Sequence, residues 1–411
     1  MDEVSENNGS VLKQFDCDEE LVKALKNYSI SSSAQPAVPG VQIRSRPPFF
    51  QVKNLFYRNI PLWAAYELSC SFVDQFAEEL ETQRAPFVDG VYDGIDATLW
   101  CRRIISRFEE FIGKHAKEEK QLPVKPADWD KYLFSLSSQK NRKPKMEDRH
   151  TILPTFSVLT KEENISGSFF AVFDGHHGSE CASYCASHFH DTLLELRQSE
   201  ENKNNLLKKV FESFDKRLTL RCKHENIKSG TTASCVYISD GVAYLGWCGD
   251  SSIGMLQNDC VVTLSSRHQP DDPEEQKRIE DAGGMVVLIQ GEPRVNGVLN
   301  ISRSLGDIQA KPMISSTPDT RKYTLTDTDY LLFLASDGVW DSLVEDEILF
   351  SLKEFVATHS TDDYKSLADF ISQKAKENGS SDNLTLIVVF LQPVQTVWDH
   401  VKEKNPTGSN E

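Results

Sequence analysis

The sequence predicts an α+β fold in which stacked antiparallel sheets are flanked by helices, with a helical N-terminal domain ahead of them. Three observations lead there. Strand-like runs come in hairpin pairs: 231–238 with 242–248 around Ser239-Asp240-Gly241, and 253–256 with 260–264 around Gln257-Asn258-Asp259. Helical patterns are grouped between these runs instead of alternating strictly with them, which argues against a doubly wound parallel sheet. Residues 49–117 carry helical periodicity.

Taken in order, residues 1–45 read as a mobile leader, because 31–48 is rich in Ser, Pro and Ala and has little periodicity. Residues 46–117 are expected to form a helical regulatory or docking domain for a protein partner. One helix face is marked by Leu62, Ala65, Leu68, Phe72, Phe76 and Leu80. A second, starting at Asp96, is marked by Leu99, Ile104, Ile105, Phe108 and Ile112. The charged, proline-containing stretch 118–129 reads as a linker, 130–393 as the main domain and 394–411 as a C-terminal tail. Within the main domain, 168–173 is a short apolar strand followed by a helix to about 196. Residues 273–282 form a helix with Asp272 as N-cap, Pro273 at its first position and Gly283-Gly284 at its end. Strands at 330–335 and 384–391 and helices at 345–357 and 364–377 complete the pattern.

The net charge of -17 over 411 residues argues against a nucleic-acid partner, which wants a basic face. The nine cysteines show no zinc-ligand spacing and read as reduced core thiols. The acidic, polar opening from Met1 to Glu20 is no secretory signal, and no apolar run approaches the length of a membrane span. These features predict a cytoplasmic protein with no membrane partner, and leave the nucleus open as a second compartment.

The chemistry lies in a recurring position. Asp174, Asp250 and Asp337 each follow an apolar strand-like run and precede a small residue, Gly175, Ser251 or Gly338, while Asp382 sits just before the last strand. A carboxylate at a strand end is held rigidly yet faces solvent. Singly, such residues are usually turn formers or helix caps. Several converging on one place would repel one another unless cations intervened, and hard oxygen donors favour Mg²⁺ or Mn²⁺ over zinc.

The surrounding words are Met146-Glu147-Asp148, Phe173-Asp174-Gly175-His176-His177-Gly178, Ser229-Gly230-Thr231-Thr232-Ala233, Trp247-Cys248-Gly249-Asp250-Ser251, Arg294-Val295-Asn296-Gly297 leading to Ser302-Arg303-Ser304-Leu305-Gly306-Asp307, Ala335-Ser336-Asp337-Gly338-Val339-Trp340-Asp341, and Ser381-Asp382-Asn383-Leu384-Thr385. In this order they resemble the metal-dependent PP2C-type protein phosphatases, over about residues 130–393. Within that family the chain looks most like the calcium/calmodulin-dependent protein kinase phosphatases and the nematode sex-determination phosphatase.

The resemblance implies an α-β-β-α sandwich and a protein serine/threonine phosphatase acting on phosphorylated proteins, with protein kinases among the substrates. It implies two divalent ions sharing Asp174, one completed by Asp337 and Asp382 and the other by Glu147 and the carbonyl of Gly175, with Asp250 serving a weaker third. His176, two residues after Asp174, is expected to be the general acid, and His177 to be exposed and dispensable. A phosphate clamp is expected from Lys143, where the family has arginine, or from Arg142; the same basic run could instead be a solvated surface. Asn296, Gly297 and Arg303 resemble a flap beside the catalytic groove.

Two other readings compete. Cys101 and Arg107 match the Cys-x5-Arg spacing of cysteine phosphatases, but the intervening residues hold no glycine and read as helix. A catalytically weak adaptor on the same fold, acting through the N-terminal domain, would typically have lost metal aspartates that this chain keeps.

Overall fold

The computed structural model describes residues 60–82, 97–115, 123–159, 167–199 and 203–403. The expected leader, the linker residues 118–122 and the tail beyond 403 lie outside these. The chain divides into two compact units, 1–129 with 157–164, and 130–156 with 165–411.

In the first unit, α1 (Leu62–Thr82) and α2 (Ala97–His115) pair through aromatic rings. Phe72 meets Phe108 edge-on at 5.0 Å and Phe111 at 5.5 Å. Ala65, Leu68, Phe72, Phe108 and Ile112 are buried, as the apolar stripe requires. The Cys-x5-Arg match falls inside α2, where exposed Arg107 pairs with Glu110 at 3.1 Å instead of closing a phosphate loop.

The second unit is built on two five-stranded antiparallel sheets. Its elements begin with β1 (Phe134–Gln139), β2 (Arg149–Leu153), β3 (Ser168–Phe173) and the short β4 (Gly175–His176), followed by α3 (Glu180–Ser199) and α4 (Lys203–Glu225). After β5 (Gly230–Thr231) come β6 (Ala233–Ser239), β7 (Val242–Cys248), β8 (Ser252–Gln257) and β9 (Cys260–Thr263). Next are α5 (Pro273–Asp281), the hairpin β10 (Val286–Ile289) and β11 (Glu292–Val295), and β12 (Leu305–Gly306). The unit closes with β13 (Asp319–Thr324), β14 (Asp329–Ala335), α6 (Asp337–Trp340), α7 (Glu345–Thr358), α8 (Leu367–Glu377), β15 (Leu384–Phe390) and α9 (Val394–Glu403).

One sheet runs β1-β15-β14-β8-β9 and the other β13-β7-β6-β3-β2. Alternation along the central strands sorts their side chains. Leu331, Phe333 and Ala335 of β14, with Leu384, Leu386, Val388 and Phe390 of β15, join a core with α7, α8 and α9. Leu332, Leu334, Ile387 and Val389 point the other way and are fully buried, toward the second sheet, whose β3 touches both β14 and β15. Helices α3 and α4 cover the outer face of that second sheet. The cap predicted for α5 forms: the Asp272 side chain accepts from the backbone N–H groups of Glu274 at 2.9 Å and Glu275 at 3.2 Å.

The expectation of a tail from 394 is corrected. Residues 394–403 form α9, with Val397 and Trp398 fully buried in the helix-covered core. Trp398 stacks on Phe390 at 6.3 Å and donates its indole N–H to the carbonyl of His359 at 3.1 Å. Trp398→Ala leaves a void and an unpaired carbonyl, so it should cost about 3–5 kcal/mol. The check is the thermal midpoint, and an unchanged midpoint would contradict the assignment of α9 to the core.

Candidate active site

Strand register explains why distant acidic residues meet. In the β2–β3 ladder Arg149 faces Phe173, so one further step sets Asp148 opposite Asp174. In the β14–β8 ladder Ala335 faces Ser252, so two further steps set Asp337 opposite Asp250. Asp382 leads into β15, the neighbour of β14. These carboxylates therefore gather at one end of the sandwich, each within two residues of a strand end.

The backbone around them is tied down by polar side chains. The carbonyl of Asp174 accepts from the Thr232 N–H at 2.8 Å and the Thr231 hydroxyl at 2.9 Å, and its N–H donates to Thr232 Oγ1 at 3.2 Å. With its main chain satisfied, Asp174 is held with its carboxyl against those of Asp148 and Asp337. Gly175 follows because a β-carbon there would collide with the carbonyl of Glu147, and this close approach brings the Glu147 segment against Asp174. Asn383 holds that segment from the far side. Its Oδ1 accepts from the Glu147 N–H at 2.7 Å, and its Nδ2 donates to the carbonyls of Lys140 at 2.9 Å and Lys145 at 3.0 Å.

The electrostatics are those of crowded like charges. Burial, then the fields of Asp148, Asp337 and Asp250, hold the Asp174 carboxyl well above the usual carboxylate range. Burial pushes Asp250 up to about 7, with Asp337 adding to it. Asp148 is pushed up to about 6 by burial, against a hydrogen bond from Ser336 Oγ at 2.9 Å. Asp337 is raised by burial and then by Asp341 and Asp382. Two cations stand near: Arg267, paired with Asp341 at 2.6 Å, and Lys143, paired with Asp382 at 2.8 Å. Burial alone would lower the Lys143 ammonium, but the hydrogen bond from it to Asp382 and the fields of Asp382, Asp337 and Asp174 raise it.

The donor set fits hard divalent cations. Every carboxylate in the cluster offers oxygen, and Arg267 and Lys143 offset only part of their shared charge; a magnesium-like ion commonly takes one or two carboxylates and fills its shell with water and carbonyls.

Metal-free protein should therefore lose stability as pH rises. Carboxyls whose folded pKa is raised stabilise the fold below the unfolded value, near 4, and that contribution disappears as pH climbs through about 6 and 7. In EDTA the thermal midpoint should fall between pH 5 and pH 7.5; in saturating Mg²⁺ the fall should shrink. A midpoint in EDTA that rises across this window would contradict the cluster. Glu275 and Asp319, both held down to about 2, act only in stronger acid.

His176 is partly buried beside the cluster, with Nε2 2.7 Å from Asp307 Oδ2, and that same oxygen accepts from Ser304 Oγ. His177 is exposed. Lys143 reaches the aspartates, while Arg142 is exposed on the same loop. The flap residues divide. Asn296 and Gly297 take left-handed turns beyond β11, and the Asn296 side chain accepts from the Met285 N–H at 3.0 Å. The expectation that Arg303 shapes a substrate groove is corrected, because its donors are committed elsewhere. They go to Glu275 at 2.6 and 3.0 Å, Asp319 at 2.9 Å and the carbonyl of Thr317 at 3.1 Å. It braces α5 against β13. Sequence reasoning passed over Asp148, Arg267, Asn383 and the role of Asp307 as the partner of His176.

A two-sheet sandwich with helices outside and carboxylates at one end defines a protein phosphatase fold. The chain belongs to the protein phosphatase 2C family, whose model matches residues 132–384. It is 38% identical over 288 residues to protein phosphatase fem-2 of Caenorhabditis elegans, covering 69% of this chain and 64% of that protein. It is 33% identical to human protein phosphatase 1F, covering 74% and 66% respectively. The chain thus spans about half to two thirds of the length of the curated relatives it matches. A solved C. elegans sex-determining protein aligns with a TM-score of 0.76 and 31% identity, over 88% of this chain and 92% of the other.

Proposed function

We propose that this chain is a metal-dependent protein serine/threonine phosphatase, and that its active site is the carboxylate cluster around Asp174. The observation that carries the proposal is the convergence of Asp148, Asp174, Asp250 and Asp337, whose carboxyls are all raised by burial and by neighbouring carboxylates, beside Lys143 and His176.

Two divalent cations, Mg²⁺ or Mn²⁺, sharing Asp174, with Asp337 and Asp382 on one side, Glu147 and the Gly175 carbonyl on the other and Asp250 open to a weaker third, would supply charge neutralisation and an activated water. The remaining work falls to side chains of this chain. Lys143 offers the incoming phosphate a compact positive charge in exchange for its contact with Asp382. Arg142, exposed beside it, is the second candidate clamp. His176 donates a proton to the departing serine or threonine oxygen from Nδ1, the ring nitrogen that Asp307 leaves open. Asp307 fixes the ring through Nε2, and Ser304 fixes Asp307. Asn296 and Gly297 shape the turn at the base of the β10–β11 hairpin, which exposes Met285, Leu288 and Val298.

The substrates are phosphorylated proteins, with protein kinases among them by resemblance to the family. Residues 46–117 serve as the docking or regulatory domain for a protein partner, and the protein acts in the cytoplasm. Purified protein should hydrolyse a phosphoserine or phosphothreonine peptide with Mg²⁺ or Mn²⁺ and stop in EDTA. Equal turnover in EDTA would remove the proposal.

A further inference from the structure

Two histidines stand in succession beside the acidic cluster, and the second has no part in the proton transfer assigned to the first. Among the described residues, His176, His177 and Asp307 form the set of three donors whose ligating atoms all lie within 4.8 Å of one another. His176 Nε2 and Asp307 Oδ2 are already 2.7 Å apart. The two imidazole rings lie 5.5 Å apart at 82°, so they do not stack and each can turn a nitrogen toward a common point.

His177 reaches this place through left-handed backbone, with φ at 56°, a region few side chains other than Asn, Asp and His occupy. The donors also differ in kind from the aspartate cluster. Two imidazoles and one carboxylate suit zinc, whereas Mg²⁺ prefers oxygen alone. A tetrahedral zinc with bonds of about 2.0–2.1 Å needs its donors about 3.3 Å apart. Closing to that spacing asks movement only of the exposed His177 side chain, since His176 and Asp307 are already in contact.

We infer that His176, His177 and Asp307 form a zinc-binding site, separate from the carboxylate cations, through which Zn²⁺ inhibits the enzyme. Zinc bound there takes up the Nε2 lone pair of His176, and its fourth position stays open to water. Binding rests on the donor geometry alone. The inhibition rests on the reading of His176 as proton donor, since a ring metallated at Nε2 is no longer the imidazolium that gives up an Nδ1 proton.

The test uses the full chain in saturating Mg²⁺, with Co²⁺ as spectroscopic probe and ZnCl₂ as competitor. One equivalent of Co²⁺ should give the visible absorption of a tetrahedral nitrogen and oxygen site, and zinc should displace it. His177→Asn keeps a residue suited to left-handed backbone and removes the imidazole. It should weaken binding at least about 100-fold, because loss of a mere outer partner already costs about 10–100-fold. His177→Cys should restore binding and add a thiolate charge-transfer band. Among the described residues Cys260 is the exposed thiol that could compete as a soft donor, and Cys260→Ser should leave the spectrum unchanged. Bands that survive His177→Asn, vanish in Cys260→Ser, or never form with Mg²⁺ present would each overturn the site. Phosphopeptide hydrolysis is titrated with Zn²⁺ in parallel, each protein against its own zinc-free rate. The native chain should be inhibited at least about 100-fold more sensitively than His177→Asn. Spectra that respond as expected while inhibition does not would keep the site and remove the proton-donor role of His176.

Discussion

Asp174→Asn should abolish hydrolysis of a phosphoserine peptide, lowering kcat at least about 10³-fold. Removing one preorganised stabiliser of transition-state charge typically costs about 10²–10³-fold, and Asp174 is the carboxylate that both cations would share. The same substitution should stabilise the metal-free chain. The Asp174 carboxyl is raised by burial and then by Asp148, Asp337 and Asp250, so a neutral amide relieves repulsion in a place where ionisation is costly. In EDTA the variant should unfold hotter, by about 2–4 °C for each kcal/mol relieved. Loss of activity together with a gain in metal-free stability separates a metal-binding role from a structural one. An Asp174→Asn protein that unfolds cooler in EDTA would contradict the electrostatic account.

Gly230→Ala should damage catalysis without touching the cations of the carboxylate cluster. A β-carbon at Gly230 would lie within 3.0 Å of both the Asp307 carboxylate and His176 Nε2. Glycine is needed there because the two side chains close over its α-carbon. Gly230 has no left-handed backbone, so alanine can adopt its conformation, and the strain falls on the His176–Asp307 pair. Once that pair is displaced, the imidazole no longer points where the leaving oxygen needs a proton. The expected loss in kcat is about 10²–10⁴-fold, the usual worth of a positioned general acid, with Mn²⁺ affinity unchanged. A phosphate ester with a leaving group that needs no proton, such as p-nitrophenyl phosphate, should lose much less. Equal losses on both substrates would point away from proton donation.

The legible part of the molecule follows from local pattern. The β6–β7 hairpin, the buried strands β3, β14 and β15, and the cap of α5 each leave a signature within a few residues. The aspartates at strand ends were visible for the same reason. Helix α4 was readable but passed over: Leu207, Val210, Phe211, Phe214, Leu218 and Cys222 repeat at helical spacing and are buried, under a strongly polar outer face. Strand β1 hid because its inward residues are serines. Ser135 Oγ donates to the carbonyl of Lys365 at 2.6 Å and Ser137 Oγ to Asp369 at 2.7 Å, partners more than two hundred residues away that no local pattern announces. Asp148 could have been found from β2–β3 register, since a residue one step before a strand faces the residue one step after its antiparallel neighbour. Asp307 and Arg303 illustrate the remaining limit. They lie in one short word, yet one orients His176 while the other braces Glu275 and Asp319, and only tertiary contact separates the two roles.

The central claim is that carboxylates brought together by strand register hold divalent cations at the end of the sandwich. Anomalous diffraction from crystals soaked in Mn²⁺ tests it most directly. The account predicts paired peaks against the Asp174 carboxylate, one toward Asp337 and Asp382 and the other toward Glu147 and the Gly175 carbonyl. Manganese absent from Asp174, or bound only elsewhere on the chain, would contradict it.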